Sequence, residues 1–348
     1  MNMDKAARLR TAALASIVAV AALASCARGP TTAERTDFVI GTVCSIRILD
    51  GGSEAALDES FARLREIEER MSANAEGTAV DTINRGAGGP PVAVPSDVLD
   101  VVARALRFAG LSGGAFDPTI GPIVKLWSIG MEGERIPSDA EIAAALGLVG
   151  YRDVLVDREA GTVRLARAGM RIDLGAIAKG YAADEVARIL EARGVKAAVV
   201  DLGGNVKVVG RKPDGSPWRI GIQDPFGDRG SYIGIAELDA GSTVVTSGVY
   251  ERYFTGSDGT RYHHILDTAT GRPVSNGLVS VTIITGASID ADGLSTTLFA
   301  LGLDRGLALA ASLPGVEAVF VDEGRRVYGT PGSKTVFKLL DDSFTEAR

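Results

Sequence analysis

Histidine is almost missing from this chain of 348 residues: His263 and His264 are the only two, and they are adjacent. Imidazole is the side chain whose ordinary pKa lies nearest neutral pH, so any histidine-based proton transfer is confined to this one place. Cysteine is equally scarce, with only Cys26 and Cys44. No apolar run is long enough to cross a bilayer; residues 11–24 form the longest candidate, short of the roughly 20 that a span needs. No basic stripe is present either. The 37 Lys and Arg are outnumbered by 44 Asp and Glu, a net charge of −7, which excludes nucleic acid from the expected partners. Low-complexity linkers and short repeats are absent too, so the chain reads as one globular unit or two intimately packed halves.

The N-terminus has the form of an export signal. Lys5, Arg8 and Arg10 precede the short apolar run, and Leu23-Ala24-Ser25-Cys26 closes it with small residues before a cysteine. Together these features resemble a bacterial lipoprotein signal, with Cys26 as the lipidated first residue of the mature chain. An ordinary signal peptide, or a buried helix with an incidental cysteine, remains the alternative. The expected organisation is a signal peptide over 1–25, a tether over 26–36 and one domain over 37–341, held by lipid at the periplasmic face of a bacterial membrane. Ala27 follows the cysteine, so there is no aspartate to favour inner-membrane retention. Once the leader is removed, Cys44 has no partner for an internal disulfide. It falls in an alternating run and is expected to be a buried strand residue.

Periodicity predicts α+β architecture, with mixed or antiparallel sheets and helices packed on them. Residues 38–49 alternate like a single strand. Ser53 caps a helix with Leu57, Phe61, Leu64, Ile67 and Met71 on one stripe. Another helix begins at Ser96, and Ser138 with Glu141 forms a capping box. Residues 163–165 and 170–172 read as short strands. A helix runs over 178–192, and two strands flank Gly203-Gly204. A hairpin surrounds residues 256–259, a β-branched strand follows over 279–285, and a helix covers 288–301. Short strands at 318–321 and 336–340 end the chain.

Four segments carry residues suited to chemistry, and each has a plain structural reading beside it. In GGAFDPTIGP (113–122), glycines let backbone approach a ligand, and Asp117 precedes a proline, so it lies in a turn or an extended stretch. A purely structural turn explains it equally well. In RIDLGAIAKGYA (171–182), Asp173 ends a strand, Gly175 turns the chain, and a helix begins whose N–H groups favour anions, with Lys179 nearby. A surface ion pair is the alternative. Asp201 precedes Gly203-Gly204 and either faces a pocket or forms an Asx turn. Asp292 and Thr296 lie four apart, hence on one helix face, and their oxygens suit a hard cation such as Mg²⁺. The other reading makes Asp292 a helix-start residue and Thr296 a packing one. The histidine pair itself reads equally as strand alternation, one ring in and one out.

Taken together, the ordered motifs GGAFDPTIGP, RIDLGAIAKGYAAD, DLGGN, TSGVYERYF, HHILDTATGRPV and DADGLSTTLFALG resemble the ApbE family, the FAD:protein FMN transferases. The resemblance runs from about residue 36 to about residue 320. It implies an ApbE-like (T-fold-like) fold. It further implies an enzyme that cleaves FAD at its pyrophosphate with Mg²⁺ and attaches FMN by a phosphoester to a threonine or serine of a target protein, releasing AMP. By motif match, Ala115, Phe116, Asp117, Asp173 and Lys179 would contact FAD. Asn74 stands where the family often has a tyrosine beside the flavin. Asp292 and Thr296 would ligate the metal by side chain and Ala176 by its backbone oxygen. His264 matches the histidine near the phosphates. The chain departs from the family pattern at Val249, where an acid is common, and at Thr268, where proline usually follows the aspartate.

Phosphoryl transfer needs charge neutralisation, nucleophile activation and in-line approach. Mg²⁺ on Asp292 and Thr296, with Lys179, answers the first, and His264 is the candidate general base. The expected partner is a flavin-accepting protein, as the resemblance suggests a subunit of a membrane electron-transfer complex. Two rival readings remain: a Mg²⁺-dependent FAD pyrophosphatase yielding free FMN and AMP, and a non-catalytic periplasmic flavin-binding lipoprotein.

Overall fold

The computed structural model describes residues 31–257 and 259–347. The expected leader and lipidated Cys26 lie outside the described residues, among which no helix is long and apolar enough to cross a membrane. The first element is a hairpin rather than the single strand expected over 38–49: β1 (Ala33–Val39) and β2 (Thr42–Asp50) pair antiparallel. The chain reverses through Ile40 and Gly41, whose φ angles are +50° and +69°. Two successive left-handed residues make the turn that matches strand twist. Ile40 disguises it, since a β-branched residue there costs about 1–2 kcal/mol and gives no turn signal. The fold thus begins inside the stretch read as a tether, and it ends beyond residue 341.

Helix α1 (Glu54–Met71) starts where Ser53 accepts a hydrogen bond from Ala56 N, and it buries the expected stripe from Leu57 to Met71. There follow α2 (Ala79–Arg85), β3 (Val92–Ala93), α3 (Ser96–Ser112), α4 (Gly121–Trp127) and α5 (Asp139–Leu146), the last with both halves of its capping box formed. Next are β4 (Val154–Asp157), β5 (Thr162–Leu165), α6 (Ala178–Ala192), β6 (Ala197–Leu202) and β7 (Asn205–Gly210). Strands β8 (Trp218–Gln223), β9 (Tyr232–Leu238), β10 (Thr243–Gly248), β11 (Tyr253–Thr255), β12 (Arg261–His263) and β13 (Leu278–Thr285) lead to α7 (Ser288–Leu301). The chain closes with α8 (Leu303–Ser312), β14 (Glu317–Asp322), β15 (Arg326–Gly329), α9 (Ser333–Val336), β16 (Phe337–Leu339) and β17 (Thr345–Glu346).

Nine strands form one sheet in the order β1-β2-β6-β7-β10-β13-β14-β15-β17. Its pairs are antiparallel except β15 with β17. The sheet is covered on both faces, and side-chain alternation divides each strand between them. On β14, Ala318 and Phe320 join the large core under the helices, while Val319 and Val321 face a second core beneath the sheet β16-β9-β8. The strand expected over 170–172 is not one. Arg171 makes a single bridge to Ile120, and the rest of the pairing comes from a side chain: Asn84 accepts from Ile172 N at 2.7 Å and donates to Ile172 O at 3.0 Å. Cys44 is fully buried in β2, and burial pushes its thiol up to about 12.

Candidate active site

The end of β10 meets the middle of α7, which packs on the start of α6, while Asn205 at the start of β7 meets Ser288 at the start of α7. Asp292 is buried on α7, and its Oδ2 accepts the backbone N–H of Gly180 at 2.9 Å. Its Oδ1 lies 3.7 Å from Lys179 Nζ, which also donates to Gly175 O at 3.2 Å. The approach of α6 to α7 requires glycine at 180, since a Cβ there would press on Ser288 O and stand 2.7 Å from Asp292 Cβ. Asp184, one turn further along α6, fixes the other end of this contact by accepting from Ser288 N at 3.0 Å and Ile289 N at 2.9 Å. Thr296 lies one turn beyond Asp292. Its hydroxyl is 3.2 Å from Ser247 Oγ at the end of β10, and Ser247 also meets Ser295 at 2.8 Å.

Asp173 and Ala176 stand in the turn before α6. Asp173 Oδ1 accepts from Gly175 N at 2.7 Å, and its own N–H donates to Pro118 O at 2.7 Å. That bond brings the Asp117 loop alongside. Asp117 is buried, and its carboxylate accepts from Thr119 N at 2.8 Å, Thr119 Oγ1 at 2.6 Å and Tyr151 N at 2.8 Å. Burial nevertheless pushes this carboxyl above the usual range. All three of these bonds hold the loop in place. Phe116 is likewise buried, edge-on to Phe108 at 6.1 Å, and its backbone N–H donates to Ser112 Oγ at 3.0 Å. Ala115, half-buried, and Asn74, exposed, border the same region, Asn74 through Arg171, which donates to Ala73 O at 3.3 Å. Thr268, the position that departs from proline, ties the histidine loop to the glycine loop by donating to Gly114 O at 2.7 Å.

The two histidines make different contacts. His263 is buried; its Nε2 faces Val274 O at 2.9 Å and its Nδ1 accepts from Ile265 N at 3.3 Å. A carbonyl cannot donate, so Nε2 carries the proton, and burial lowers this ring's pKa. It is a core histidine. His264 presents Nδ1 to Arg252 O at 3.2 Å, which places its proton on Nδ1 and leaves Nε2 as an open acceptor. Burial pulls its pKa to about 3, helped by the charges of Arg252 and Lys179. The Lys179 charge joins His264 electrostatically to the Asp292 cluster. Arg252 also donates to Gly41 O at 3.1 Å, linking the first hairpin to this rim. Glu251 and Asp201 face the rim with carboxyls raised by burial, and Asp201 Oδ1 accepts from Gly204 N at 2.9 Å across the turn.

Sequence reading placed Asp173, Lys179, Asp292 and Thr296 in one region, and the structure brings them together. It missed Gly180, Ser247, Arg252 and Asn84. The first three sit inside the quoted motifs, where spacing alone gives no sign of their partners. Asn84 carries no local signal. The Asp292 carboxylate and the Thr296 hydroxyl form a sparse oxygen set, and no group of three or more His, Cys, Asp or Glu among the described residues is placed to hold a metal ion. That set suits Mg²⁺, which keeps few protein ligands and completes its shell with water and phosphate.

A family model described as the ApbE family matches residues 40–320. An FAD:protein FMN transferase of Treponema pallidum is 39% identical over 331 residues, covering 90% of this chain and 91% of that one. One from Klebsiella pneumoniae is 38% identical, covering 84% and 90%. Among solved structures, the ApbE protein of Thermotoga maritima superposes with a TM-score of 0.80 at 36% identity, over 88% of this chain and 99% of the other. The flavin transferase ApbE of Vibrio cholerae gives 0.79 at 30% identity, over 88% and 100%.

Proposed function

Because this chain belongs to the ApbE family, we propose that it is an FAD:protein FMN transferase: it breaks the pyrophosphate of FAD and joins FMN by a phosphoester to a threonine or serine of a target protein, with AMP leaving. The observation that carries this reading is the grip on Asp292. Its carboxylate is oriented by Gly180 N–H, faced by Lys179, and set one turn from the Thr296 hydroxyl. Asp292, Thr296 and the backbone oxygen of Ala176 would hold Mg²⁺, which when bound neutralises diphosphate charge. Lys179 adds a cation to the same surface. His264, neutral with an open Nε2, accepts the proton of the incoming hydroxyl. A conjugate-acid pKa near 3 makes a weak base, and an anionic diphosphate beside the ring raises it toward the useful range.

The leader and Cys26 support lipid anchoring at the periplasmic face, and a subunit of a membrane electron-transfer complex is the target class that fits such a location. Mass spectrometry of a periplasmic acceptor co-expressed with this chain tests the reading. The FMN mass increment is expected with the intact chain and lost with Asp292→Ala. Free FMN and AMP with an unlabelled acceptor would assign the hydrolase instead, and intact FAD after prolonged incubation with Mg²⁺ would assign a flavin-binding protein.

A further inference from the structure

We propose that the tip of the β1–β2 hairpin is the docking ledge for the flavin-accepting protein, an assignment that rests on the transferase reading above. The outer face of the hairpin carries three cross-strand pairs. Glu34 and Arg47 form an ion pair at 3.0 Å, and Thr36 and Ser45 share a hydrogen bond at 3.2 Å. Phe38 and Val43, the pair nearest the turn, are apolar and stand 70% and 55% exposed. Directly opposed side chains are about 5 Å apart at Cβ and form one surface. The two outer rungs satisfy themselves, whereas the tip rung satisfies nothing in this chain. Phe38 is the most exposed large apolar side chain among the described residues.

Isolated exposed apolar residues are ordinary; what distinguishes this pair is its position. Arg252 donates to Gly41 O in the turn between them, and the carbonyl of the same Arg252 receives both Nδ1 and the backbone N–H of His264. One residue therefore joins the apolar rung to the proposed base. A hydroxyl brought to His264 must belong to a protein, and the body of that protein must rest on this rim. The tip also lies on an edge strand, since β1 has no neighbour on its outer side among the described residues, and its backbone can accept an extended segment. Arg229, 89% exposed and only loosely paired with Glu251 at 3.9 Å, adds positive charge to the rim of a chain whose net charge is −7. The partner that fits is a folded protein presenting an apolar side chain for Phe38 and Val43 and a carboxylate beside its acceptor hydroxyl. A membrane is less suited to the tip. The chain leading back to Cys26 leaves from Ala33, at the opposite end of β1, about 20 Å along the strand.

The test is the double variant Phe38→Ser, Val43→Ser, with Phe38→Arg as a second variant. Its probe is the purified apo flavin-binding domain of a periplasm-facing electron-transfer subunit. Both variants are expected to weaken calorimetric binding of that domain by about tenfold or more and to raise its KM in FMN transfer equally. FAD affinity by flavin fluorescence and the thermal midpoint should match wild type. Wild-type binding of the domain by both variants would overturn the proposal, as would an equal loss of FAD affinity, which would make the rung part of the flavin pocket. Reduced sedimentation with phosphatidylglycerol vesicles alongside unchanged domain binding would assign the tip to the membrane and also overturn it. Failure of wild-type enzyme to form covalent FMN would instead overturn the transferase reading, while calorimetry still decides the docking surface.

Discussion

Gly180 and Asp292, 112 residues apart, are joined by a 2.9 Å hydrogen bond from backbone N–H to carboxylate. The bond exists because α6 crosses α7 at a point where neither helix has room for a Cβ on residue 180. Helix packing and the orientation of the Asp292 carboxylate are thus the same contact. Gly180→Ala is expected to push the helices apart, costing about 1–3 kcal/mol of stability as overpacking, and to abolish detectable FMN transfer because Asp292 turns with its helix. Urea denaturation with parallel mass spectrometry of an acceptor checks both. Full transfer in a destabilised Gly180→Ala protein would show that the Asp292 orientation is dispensable.

His264 should make the fold sensitive to acid. Its folded pKa, about 3, lies below the ordinary value of 6.5, so the unfolded chain binds the proton first as pH falls. The stabilisation held above 6.5 is lost toward pH 3, by at most about 1.4 kcal/mol per pH unit. The raised carboxyls of Asp117, Asp201 and Glu251 oppose this trend, so a variant comparison is needed. The thermal-midpoint advantage of wild type over His264→Asn is expected to be smaller at pH 5 than at pH 7.5. A constant difference across that range would refute the assigned environment.

Asn84 substitutes for a neighbouring strand by bonding both backbone groups of Ile172. Asn84→Ala leaves a buried N–H and C=O unpaired, a loss of about 1–3 kcal/mol. The residue just beyond Ile172 is Asp173, so the turn it opens should loosen. KM for FAD is expected to rise more than kcat falls, which steady-state kinetics will resolve. Asn84→Asp, which keeps one acceptor, should recover only part of the loss.

Cys44 is buried, with its thiol raised to about 12. A chain beginning at residue 27 should therefore show no reaction with a disulfide reagent at pH 8 until it unfolds, then one thiol per chain. Rapid labelling of the native protein would place Cys44 at the surface.

The helices were the most legible part of the fold. Ser53, Ser138 and the stripe from Leu57 to Met71 act within a few residues of one another, and local rules suffice for them. The hairpin at Ile40-Gly41 was not legible, because tertiary packing holds an isoleucine in a conformation it disfavours by itself. Strands β8 and β9 and helix α4 gave no distinct periodic signal and were missed. In the site, residue types at Asp292, Thr296, Lys179 and Asp173 were legible as motif members. Asp117 and Phe116 were legible only as a motif, since their side chains turn inward to Thr119, Tyr151 and Phe108.

The amino-acid order alone determined the helix stripes and caps, and a set of oxygen, cation and imidazole groups suited to a diphosphate. Those features follow from short-range periodicity and side-chain chemistry. Only the folded chain decided that Gly180 would meet Asp292, that Ser247 would reach Thr296, and that one histidine would enter the core while its neighbour kept an open Nε2. These contacts join segments separated by tens to more than a hundred residues. Closing such loops costs entropy that no local preference repays, so the choice among them is made by the packing of the whole sheet and its helices.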